Sequence, residues 1–357
     1  MPKRSSCAII RATPQWCGGT DMSTQLAFDY TTAPSSGLRP LEPRRDLGQV
    51  ADLIEEAFGG ELESGGLAAL RDMRMLSRMG PLVSLMARSD PYLEDVLGGF
   101  VWIEEDRVVG NVTIQRLDPY GSRWQIANVA VTKAYQGRGI GRALVEAAVQ
   151  RIDDRRGGWA VLQVRTDNAL ALGLYKRLGF EPVTEEAVLT MEGLPESVEP
   201  EAPPAGLRPF HHDEWQARYV LEAASRTDLA KWWRPVRSHQ FMQTFESRLG
   251  EKLRDVVGSS QTRRWVVEAG NGFSAFVAVN ARRWQGVHRL EFTVHPACRG
   301  ELEGPLIGHA FQHLLEFPRW PIRVEHPGEH REMIDALQQA GFRLVRNHLS
   351  MRQKLNA

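Results

Sequence analysis

Three glycines fall within five residues in the segment Gln136–Arg142, whose sequence is QGRGIGR. An apolar run that ends at Val131 predicts a strand before it, and helical periodicity predicts a helix after it to about Ile152. Glycine lets successive backbone N–H groups point toward one place without an obstructing Cβ. The helix N-terminus adds unpaired donors and the positive end of its dipole. The segment therefore predicts a diphosphate cradle, with Arg138 and Arg142 supplementing its charge.

Other glycine-rich loops fit this segment less well. A P-loop needs Lys and then Ser or Thr after its last glycine, but Gly141 is followed by Arg142. A dinucleotide fingerprint counted from Gly137 needs a third glycine where Arg142 stands. A plain helix-capping turn is the third interpretation, and three clustered glycines flanked by Gln and Arg disfavour it.

The surroundings of the loop resemble a known family. Asn128–Gly141 resembles the central motif of the GNAT superfamily of N-acetyltransferases, whose loop is Gln or Arg, two residues, Gly, one residue, Gly or Ala. Asn168–Phe180 resembles the second motif of that family, and the resemblance covers about residues 38 to 192. It implies an α/β fold with a central mixed β-sheet flanked by helices, acetyl-CoA as co-substrate, and no metal.

The resemblance also implies roles for individual residues. Backbone groups of three strand residues would bind the pantetheine arm, and backbone N–H groups of the loop would hold the pyrophosphate. Asn168 would lie near the pantetheine and Tyr175 near the thioester sulfur. The implied cofactor-binding residues are Val129, Ala130, Val131, Gln136, Gly137, Arg138, Gly139, Ile140, Gly141, Arg142 and Asn168.

The implied chemistry is direct attack of a neutral amine on the thioester carbonyl. A backbone N–H at the end of the predicted strand Trp124–Val131 would stabilise the oxyanion. Tyr175 would protonate the leaving thiolate as general acid. The alternative interpretation of Tyr175 is an aromatic side chain that packs in the core.

The general base is left open by the sequence. All ten histidines lie at position 211 or later, so the first half offers none. Some relatives that acetylate protein N-termini carry Glu where this chain has Gln163, which weakens that activity as a prediction. Glu104, Glu105 and Asp118 lie near predicted strand ends and are candidates, with solvated hairpin charges as the alternative.

The chain divides into two similar halves. Residues 1–37 lack periodicity and are predicted to be a disordered tail, in which Met22 is an alternative start to Met1. Residues 193–206 are rich in Pro and Glu and predict a linker. Leu-Arg-Pro recurs at the start of each half, and a Gly-Phe pair recurs near each end after 162 residues. An internal duplication is predicted, with domains at 38–192 and 207–355.

The second copy of the loop is altered in ways that act against coenzyme A. A Cβ keeps the backbone away from a phosphate, acidic side chains repel it, and proline removes an N–H donor. The alterations are Leu302 at the position of Gly139, Leu337 at that of Tyr175, and the loop residues Glu301, Glu303 and Pro305. The second half is therefore predicted to be a degenerate GNAT-like domain. It would either pack against the first half and form one wall of its acceptor pocket, or have only a structural role by completing an edge of the sheet.

Composition excludes several other functions. Lys plus Arg and Asp plus Glu number 44 each, so the chain lacks the basic excess typical of sequence-independent nucleic-acid binding. The sequence contains no run of about 18 apolar residues, the length that predicts a membrane-spanning helix. The three cysteines have no spacing typical of a disulfide scaffold or a zinc site. A cytoplasmic protein that binds neither nucleic acid nor membrane is predicted.

Together these features predict an N-acetyltransferase that moves an acetyl group from acetyl-CoA to a primary amine of a small molecule or peptide. Two alternatives stay open at this point. One is a non-catalytic protein that binds or senses acyl-CoA. The other is a tandem enzyme with two working sites.

Overall fold

The computed structural model describes residues 36–59, 64–78, 98–118, 120–195, 202–242, 260–270, 272–284 and 286–356. The predicted N-terminal tail lies outside these residues except for its last two positions, and so do residues 79–97 and 196–201. No helix within these ranges is long and apolar enough to cross a membrane.

Both halves of the chain contain the same order of helices and strands. The first half consists of β1 (Gly37–Pro40), α1 (Pro43–Phe58), α2 (Ser64–Arg78), β2 (Gly99–Glu104), β3 (Arg107–Arg116), β4 (Arg123–Val131), α3 (Ile140–Asp154), β5 (Trp159–Arg165), α4 (Ala169–Arg177) and β6 (Glu181–Met191). The second half consists of β7 (Leu207–Pro209), α5 (Trp215–Ser225), α6 (Asp228–Trp233), β8 (Ser260–Ala269), β9 (Gly272–Arg282), β10 (His288–Val294), α7 (Glu303–Leu314), β11 (Ile322–Pro327), α8 (Arg331–Gln339) and β12 (Arg343–Lys354). This one-to-one correspondence is what an internal duplication predicts.

The first helix begins at a proline. The residue type of Asp46 predicts an N-cap at that position, but α1 begins at Pro43, whose fixed φ and missing N–H suit the first helical position. Asp46 instead lies in the first turn, fully buried. Its Oδ2 accepts the backbone N–H of Glu42 at 2.7 Å and the Nη1 of Arg39 at 2.7 Å. The carboxylate thus satisfies an orphan helix donor and ties α1 to β1.

The twelve strands form one sheet in the order β1-β2-β3-β4-β5-β12-β6-β11-β10-β9-β8-β7. The last strands of the two halves are exchanged. β12 pairs antiparallel with β5 of the first half, and β6 pairs antiparallel with β11 of the second. β6 and β12 also pair with each other, with two register shifts. The sequence predicts two strands here, at Phe180–Thr184 and Ala187–Met191, but the structure has the single strand Glu181–Met191, paired on both edges.

The exchange also joins the two hydrophobic cores. Met351 and Leu355, from the end of the chain, pack in the core between α3, α4 and the first half of the sheet. Ala187 and Leu189 of β6 pack in the core beneath α7 and α8 of the second half. Each half therefore completes the core of the other.

A second contact between the halves involves Trp232, the first of two adjacent tryptophans. The ring of Trp232, on α6, lies 5.0 Å from that of Trp159 at the start of β5. The guanidinium of Arg352 stacks over both rings, at 4.6 and 4.5 Å. Arg123, the first residue of β4, donates to the carbonyl of Trp232 at 2.8 Å. This interface lies where β4 and β5 begin, at the end of the strands away from the glycine loop.

Candidate functional site

The parallel strands β4 and β5 pair only where they begin. Arg123–Gln125 of β4 pair with Trp159–Val161 of β5. From there to Val131, β4 is paired with β3 on its other edge but not with β5. Beyond Gln125 on β4 and Val161 on β5, the facing edges have no strand partner in the described part of the chain. An extended ligand arm can use the N–H and C=O groups of these edges as a third strand would.

A β-bulge in β4 shapes the wall of this opening. Asn111 of β3 faces Ala130 and Thr113 faces Ala127, so β4 has one extra residue between these pairs. Asn128 takes a φ of +51° there, a left-handed conformation that asparagine tolerates. The Asn111 amide donates to the carbonyl of Asn128 at 3.0 Å, and the Thr113 hydroxyl donates to that of Ala127 at 3.0 Å.

The bulge changes which side chains of β4 reach each face. Trp124 and Ile126 pack in the core under α3, and without the bulge the next residue on that face would be Asn128. Instead Val129 and Val131 pack against that core, and Ala130 packs against α1 on the other face. The bulge therefore lines the opening with two valines and leaves backbone groups of β4 outside the regular ladder.

The glycine loop begins directly after this strand. Gly137 and Gly139 have φ values of +78° and +84°, which residues with a Cβ rarely adopt. A Cβ placed on either glycine would have no atom within 4 Å, so the space in front of both is open. Ala143 makes the first helical bond, to the carbonyl of Gly139 at 3.0 Å.

The backbone donors of the loop are mostly free. The N–H of Gln136 closes a turn on the carbonyl of Lys133 at 3.4 Å. From Gly137 to Arg142, no backbone N–H donates to an acceptor within the described residues. Six successive donors at a helix N-terminus therefore lack a partner among the described residues, an arrangement that fits a diphosphate.

The side chains of the loop keep it in place and keep it basic. Gln136 donates through Nε2 to the carbonyl of Val131 at 3.0 Å, which ties the loop to the strand. Arg138 stacks over the ring of Tyr135, with its guanidinium carbon 4.8 Å from the ring centre. Arg142 makes an exposed pair with Glu146 at 2.8 Å. Both arginines are thus held at the rim by weak contacts, from which they can turn toward an anion.

Asn168 is the N-cap of α4. Its Oδ1 accepts the backbone N–H of Ala171 at 3.0 Å, and the residue is exposed. The cap uses only the oxygen of the amide, so the two donors of Nδ2 stay available to a ligand that lies along β5.

Tyr175 combines core packing with an available hydroxyl. It is 6% exposed, and its ring makes an edge contact with Phe180 at 5.9 Å. It belongs to the same hydrophobic cluster as Leu162 and Val164 of β5 and Val129 and Val131 of β4. Burial raises the pKa of Tyr175 to about 12, so the hydroxyl stays protonated at neutral pH. Both interpretations of this residue are thus compatible with its position.

The three acidic candidates for a base differ in their surroundings. Asp118 binds the hairpin between β3 and β4, where it accepts the N–H groups of Tyr120, Ser122 and Arg123. Burial alone would raise the pKa of Asp118, but bonds from Ser122, Arg123 and Tyr120 lower it. This hairpin lies at the start of β4, away from the loop, and four bonded hydrogens leave the carboxylate a structural role.

Glu104 and Glu105 lie at the hairpin between β2 and β3. Hydrogen bonds from the hydroxyl of Ser36 and from Trp102 Nε1 hold the pKa of Glu104 below its usual range. Glu105 is an exposed turn residue with a φ of +48°. A carboxylate whose pKa is lowered is a weaker base, which counts against Glu104 as the general base.

The exchanged strand brings a histidine that the sequence placed in the other half. His348 of β12 lies opposite Arg165, the last residue of β5, and opposite Glu186 of β6. It is half-buried. The pKa of Asp167 is lowered by its bond from Arg165 and further by His348. No local signal could have found His348, because its place depends on a strand pairing between residues far apart in sequence.

The corresponding loop of the second half is closed by its own side chains. Gly300 has a φ of +84°, like the first-half glycines, but Leu302 has a φ of −101° where Gly139 is left-handed. Glu303 is 2% exposed and accepts the N–H of Gly300 at 2.8 Å. Its other oxygen lies 2.7 Å from Nε2 of His330, which stands where the first half has Asn168. A carboxylate of the chain itself thus occupies the helix N-terminus.

Comparisons with known proteins agree with this geometry. Residues 69–180 match the model of the acetyltransferase (GNAT) family. The N-alpha-acetyltransferase RimI of Mycobacterium tuberculosis is 43% identical over 79 residues, which are 21% of this chain and 47% of that protein. Mycothiol acetyltransferase of Rhodococcus erythropolis is 35% identical over 106 residues, or 28% of this chain and 30% of that protein. The chain thus spans about half or less of the length of these relatives.

One solved structure covers nearly the whole chain. It is a GCN5-related N-acetyltransferase from Sphaerobacter thermophilus, with a TM-score of 0.56 and 18% identity over 90% of this chain and 96% of that one. The chain therefore shares the fold of that N-acetyltransferase, and residues 69–180 are similar to the GNAT family. The predicted α/β fold with two GNAT-like halves is confirmed.

Proposed function

We propose that this protein transfers an acetyl group from acetyl-CoA to a primary amine, at one site in the first half. The observation that carries the proposal is the continuity of an unpaired strand edge with six free loop donors. The edge of β4 up to Val131 would bind the pantetheine arm, and the N–H groups from Gly137 to Arg142 would bind the pyrophosphate.

The proposed residue roles follow this placement. Backbone groups of Val129 to Val131 bind the arm, and the amide donors of Asn168 contact it from α4. The side chains of Arg138 and Arg142 add charge beside the pyrophosphate. Together with the loop residues Gln136 to Gly141, these are the residues that the resemblance implied.

The chemical step is acyl transfer without a covalent enzyme intermediate. The amine nitrogen forms a bond to the thioester carbon, and the carbon–sulfur bond breaks. Backbone N–H groups freed by the bulge at Asn128 stabilise the oxyanion. Tyr175 donates its proton to the leaving thiolate and regains one from water. A pKa of about 12 means that the hydroxyl carries its proton at neutral pH.

The amine must lose a proton, because an alkyl ammonium has a pKa near 10.4. We assign this role to His348, which reaches the C-terminal end of β5 on the exchanged strand. Its imidazole would accept the proton directly or through water. In this assignment the second half contributes one catalytic group and no cofactor site.

The names of the relatives support an amine acceptor without fixing its size. One is an N-alpha-acetyltransferase and another acetylates mycothiol, so both peptides and small molecules are represented. The non-catalytic alternative is a protein that only binds acyl-CoA. Tyr175 beside the unpaired edge of β5 favours the enzyme.

The test measures thiol release from acetyl-CoA across a panel of peptide and small-molecule amines. The parent should release thiol with at least one amine, and Tyr175→Phe should lower kcat by about 100-fold or more while binding coenzyme A equally well. Tyr219→Phe is the matched control, because Tyr219 packs on Phe241 in the second half. Tight binding of coenzyme A without thiol release from any amine would favour the non-catalytic alternative.

A further inference from the structure

A polar cavity lies where the second half meets the exchanged strands. Its volume is about 140 Å³. Cavities of roughly 150 Å³ hold a molecule the size of benzene, so this one fits a ligand of about six to ten non-hydrogen atoms. It is lined by the loop between α5 and α6, by α6, by the C-terminal end of β11 and the residues between β11 and α8, and by Thr184 and Glu186 of β6 and Ser350 of β12.

The position of the cavity in the fold is informative. Arg299 belongs to the second glycine loop, and His326 and His330 belong to the end of β11 and the start of α8. The equivalent elements of the first half border the proposed active site. The second half thus keeps a pocket at this place although Glu303 fills its own anion-binding loop.

Most charged groups around the cavity are neutralised by a partner. Arg234 pairs with Glu186 at 3.0 Å, and Arg226 pairs with Glu222 at 2.7 Å. Glu325 pairs with an arginine of its own strand at 2.9 Å. Glu185 likewise accepts from an arginine at 3.2 Å and from an asparagine at 3.0 Å.

Two groups of opposite charge are left over. Arg299 donates to the carbonyl of Ser225 at 2.8 Å, and its Nε is buried without a hydrogen-bond partner. Glu329 accepts only from the hydroxyl of Thr184. Neither forms an ion pair with any residue in the described part of the chain. A guanidinium and a carboxylate without counter-charges in a partly closed cavity are costly unless a ligand compensates both.

A chain of buried hydrogen bonds lies on the same wall. Burial would raise the pKa of Glu303, but bonds from His330 and from backbone N–H groups lower it. The Glu303 carboxylate lies 2.7 Å from Nε2 of His330, and Nδ1 of His330 lies 2.8 Å from Nε2 of His326. Burial lowers the pKa of His326 to about 3, so this imidazole is neutral at neutral pH.

We propose that this cavity binds a small zwitterion of the α-amino acid class, with the carboxylate on Arg299 and the ammonium on Glu329. The site is distinct from the proposed acetyl-CoA site, and we assign it binding only. Because Thr184 and Glu186 lie on β6, which pairs with β12, the ligand would touch the strands that the two halves exchange.

The test uses the full chain without acyl-CoA, so its outcome does not depend on enzymatic activity. Each of the standard α-amino acids is added at about 10 mM, and the shift in melting temperature is followed by calorimetry for those that stabilise the protein. At least one should stabilise the chain. The amine and the carboxylic acid that each lack one of its charged groups should bind at least about tenfold more weakly.

Two variants locate the ligand. Arg299→Gln and Glu329→Gln should each weaken binding by about 10- to 100-fold, the effect of one lost hydrogen bond to a charged group. Arg343→Gln and Glu192→Gln are matched controls, because these residues form an exposed pair that does not line the cavity. If Arg299→Gln does not fold, Arg299→Lys should bind with intermediate affinity. Absence of stabilisation by every amino acid, or unchanged affinity in both cavity variants, overturns the proposal.

Discussion

The two glycine loops offer a matched pair of substitutions that isolates the cofactor contact. Gly139 and Gly300 both have a φ of +84°, and a Cβ on either would meet no atom within 4 Å. Alanine at each position therefore brings the same conformational strain and no clash within the protein. Only Gly139→Ala places its methyl group in front of free backbone donors, because the N–H of Gly300 is already bonded to Glu303.

The expected magnitudes differ between stability and binding. A residue with a Cβ in the left-handed region costs about 1 to 2 kcal/mol, so both variants should lose a similar free energy of unfolding. Binding of coenzyme A should fall by about 10- to 100-fold in Gly139→Ala, which corresponds to one lost hydrogen bond to a charged phosphate. In Gly300→Ala the affinity for coenzyme A should change by less than about twofold, because substitutions at distant sites usually act independently.

Urea denaturation and isothermal calorimetry with coenzyme A measure the two quantities on the same samples. The parent should bind one coenzyme A per chain. Unchanged affinity in Gly139→Ala, together with the expected loss of stability, would refute the cradle in the first half. A loss of affinity in Gly300→Ala of the same size would move a binding site to the second half.

Three further results are expected. The free energy of unfolding should fall by up to about 3 kcal/mol between pH 10 and 12, because the pKa of Tyr175 is near 10 in the unfolded chain and about 12 in the fold. The unfolded state therefore releases this proton first. Tyr175→Phe should lack the loss in urea titrations, and an equal loss in the variant would contradict the prediction. Acidification should also lower stability, because folding lowers the pKa of His326 from 6.5 to about 3 and the unfolded state therefore binds the proton first. The free energy of unfolding should drop below pH 6.5 by up to roughly 5 kcal/mol. His326→Asn, which can still donate to its neighbour, should reduce this drop, whereas the exposed control His239→Asn should not. Deletion of residues 343–357 removes β12, one of the two strand partners of both β5 and β6, and should abolish cooperative thermal unfolding followed by circular dichroism. An unchanged transition would contradict the strand exchange.

Local chemistry made the glycine loop predictable from the sequence. A strand, a run of glycines and a helix in that order dictate where the backbone donors point, and the structure leaves six of them free from Gly137 to Arg142. The duplication was predictable for a similar reason, since Val131 and Val294 end equivalent strands in both halves. These features depend on short stretches whose conformation is set by their own residues.

The strand exchange was not predictable in the same way. β6 and β12 occupy the same place in the two halves, and each could pair within its own half or with the other half. Periodicity shows which side of a strand is buried but does not show which strand lies next to it. His348 therefore escaped prediction as a group near the first site.

The role of Asp46 was missed for a different reason. Its residue type suits an N-cap, but the preceding Pro43 can begin a helix four positions earlier than expected. The pairing of its carboxylate with Arg39 depends on the strand that precedes the helix. Such contacts between neighbouring elements are not contained in propensities alone.

The altered residues of the second loop act differently from what their charges suggest. The sequence predicts that Glu303 repels a diphosphate across the loop, but its carboxylate occupies the anion position itself, bonded to Gly300 and His330. Leu302→Gly alone should therefore not restore a second coenzyme A site. The glycine would allow the left-handed conformation, yet the N–H of Gly300 would stay bonded to Glu303, and Pro305 would still lack a donor. Calorimetry should show one coenzyme A per chain in Leu302→Gly, as in the parent. A stoichiometry of two would mean that backbone conformation, and not the internal carboxylate, keeps the second loop closed.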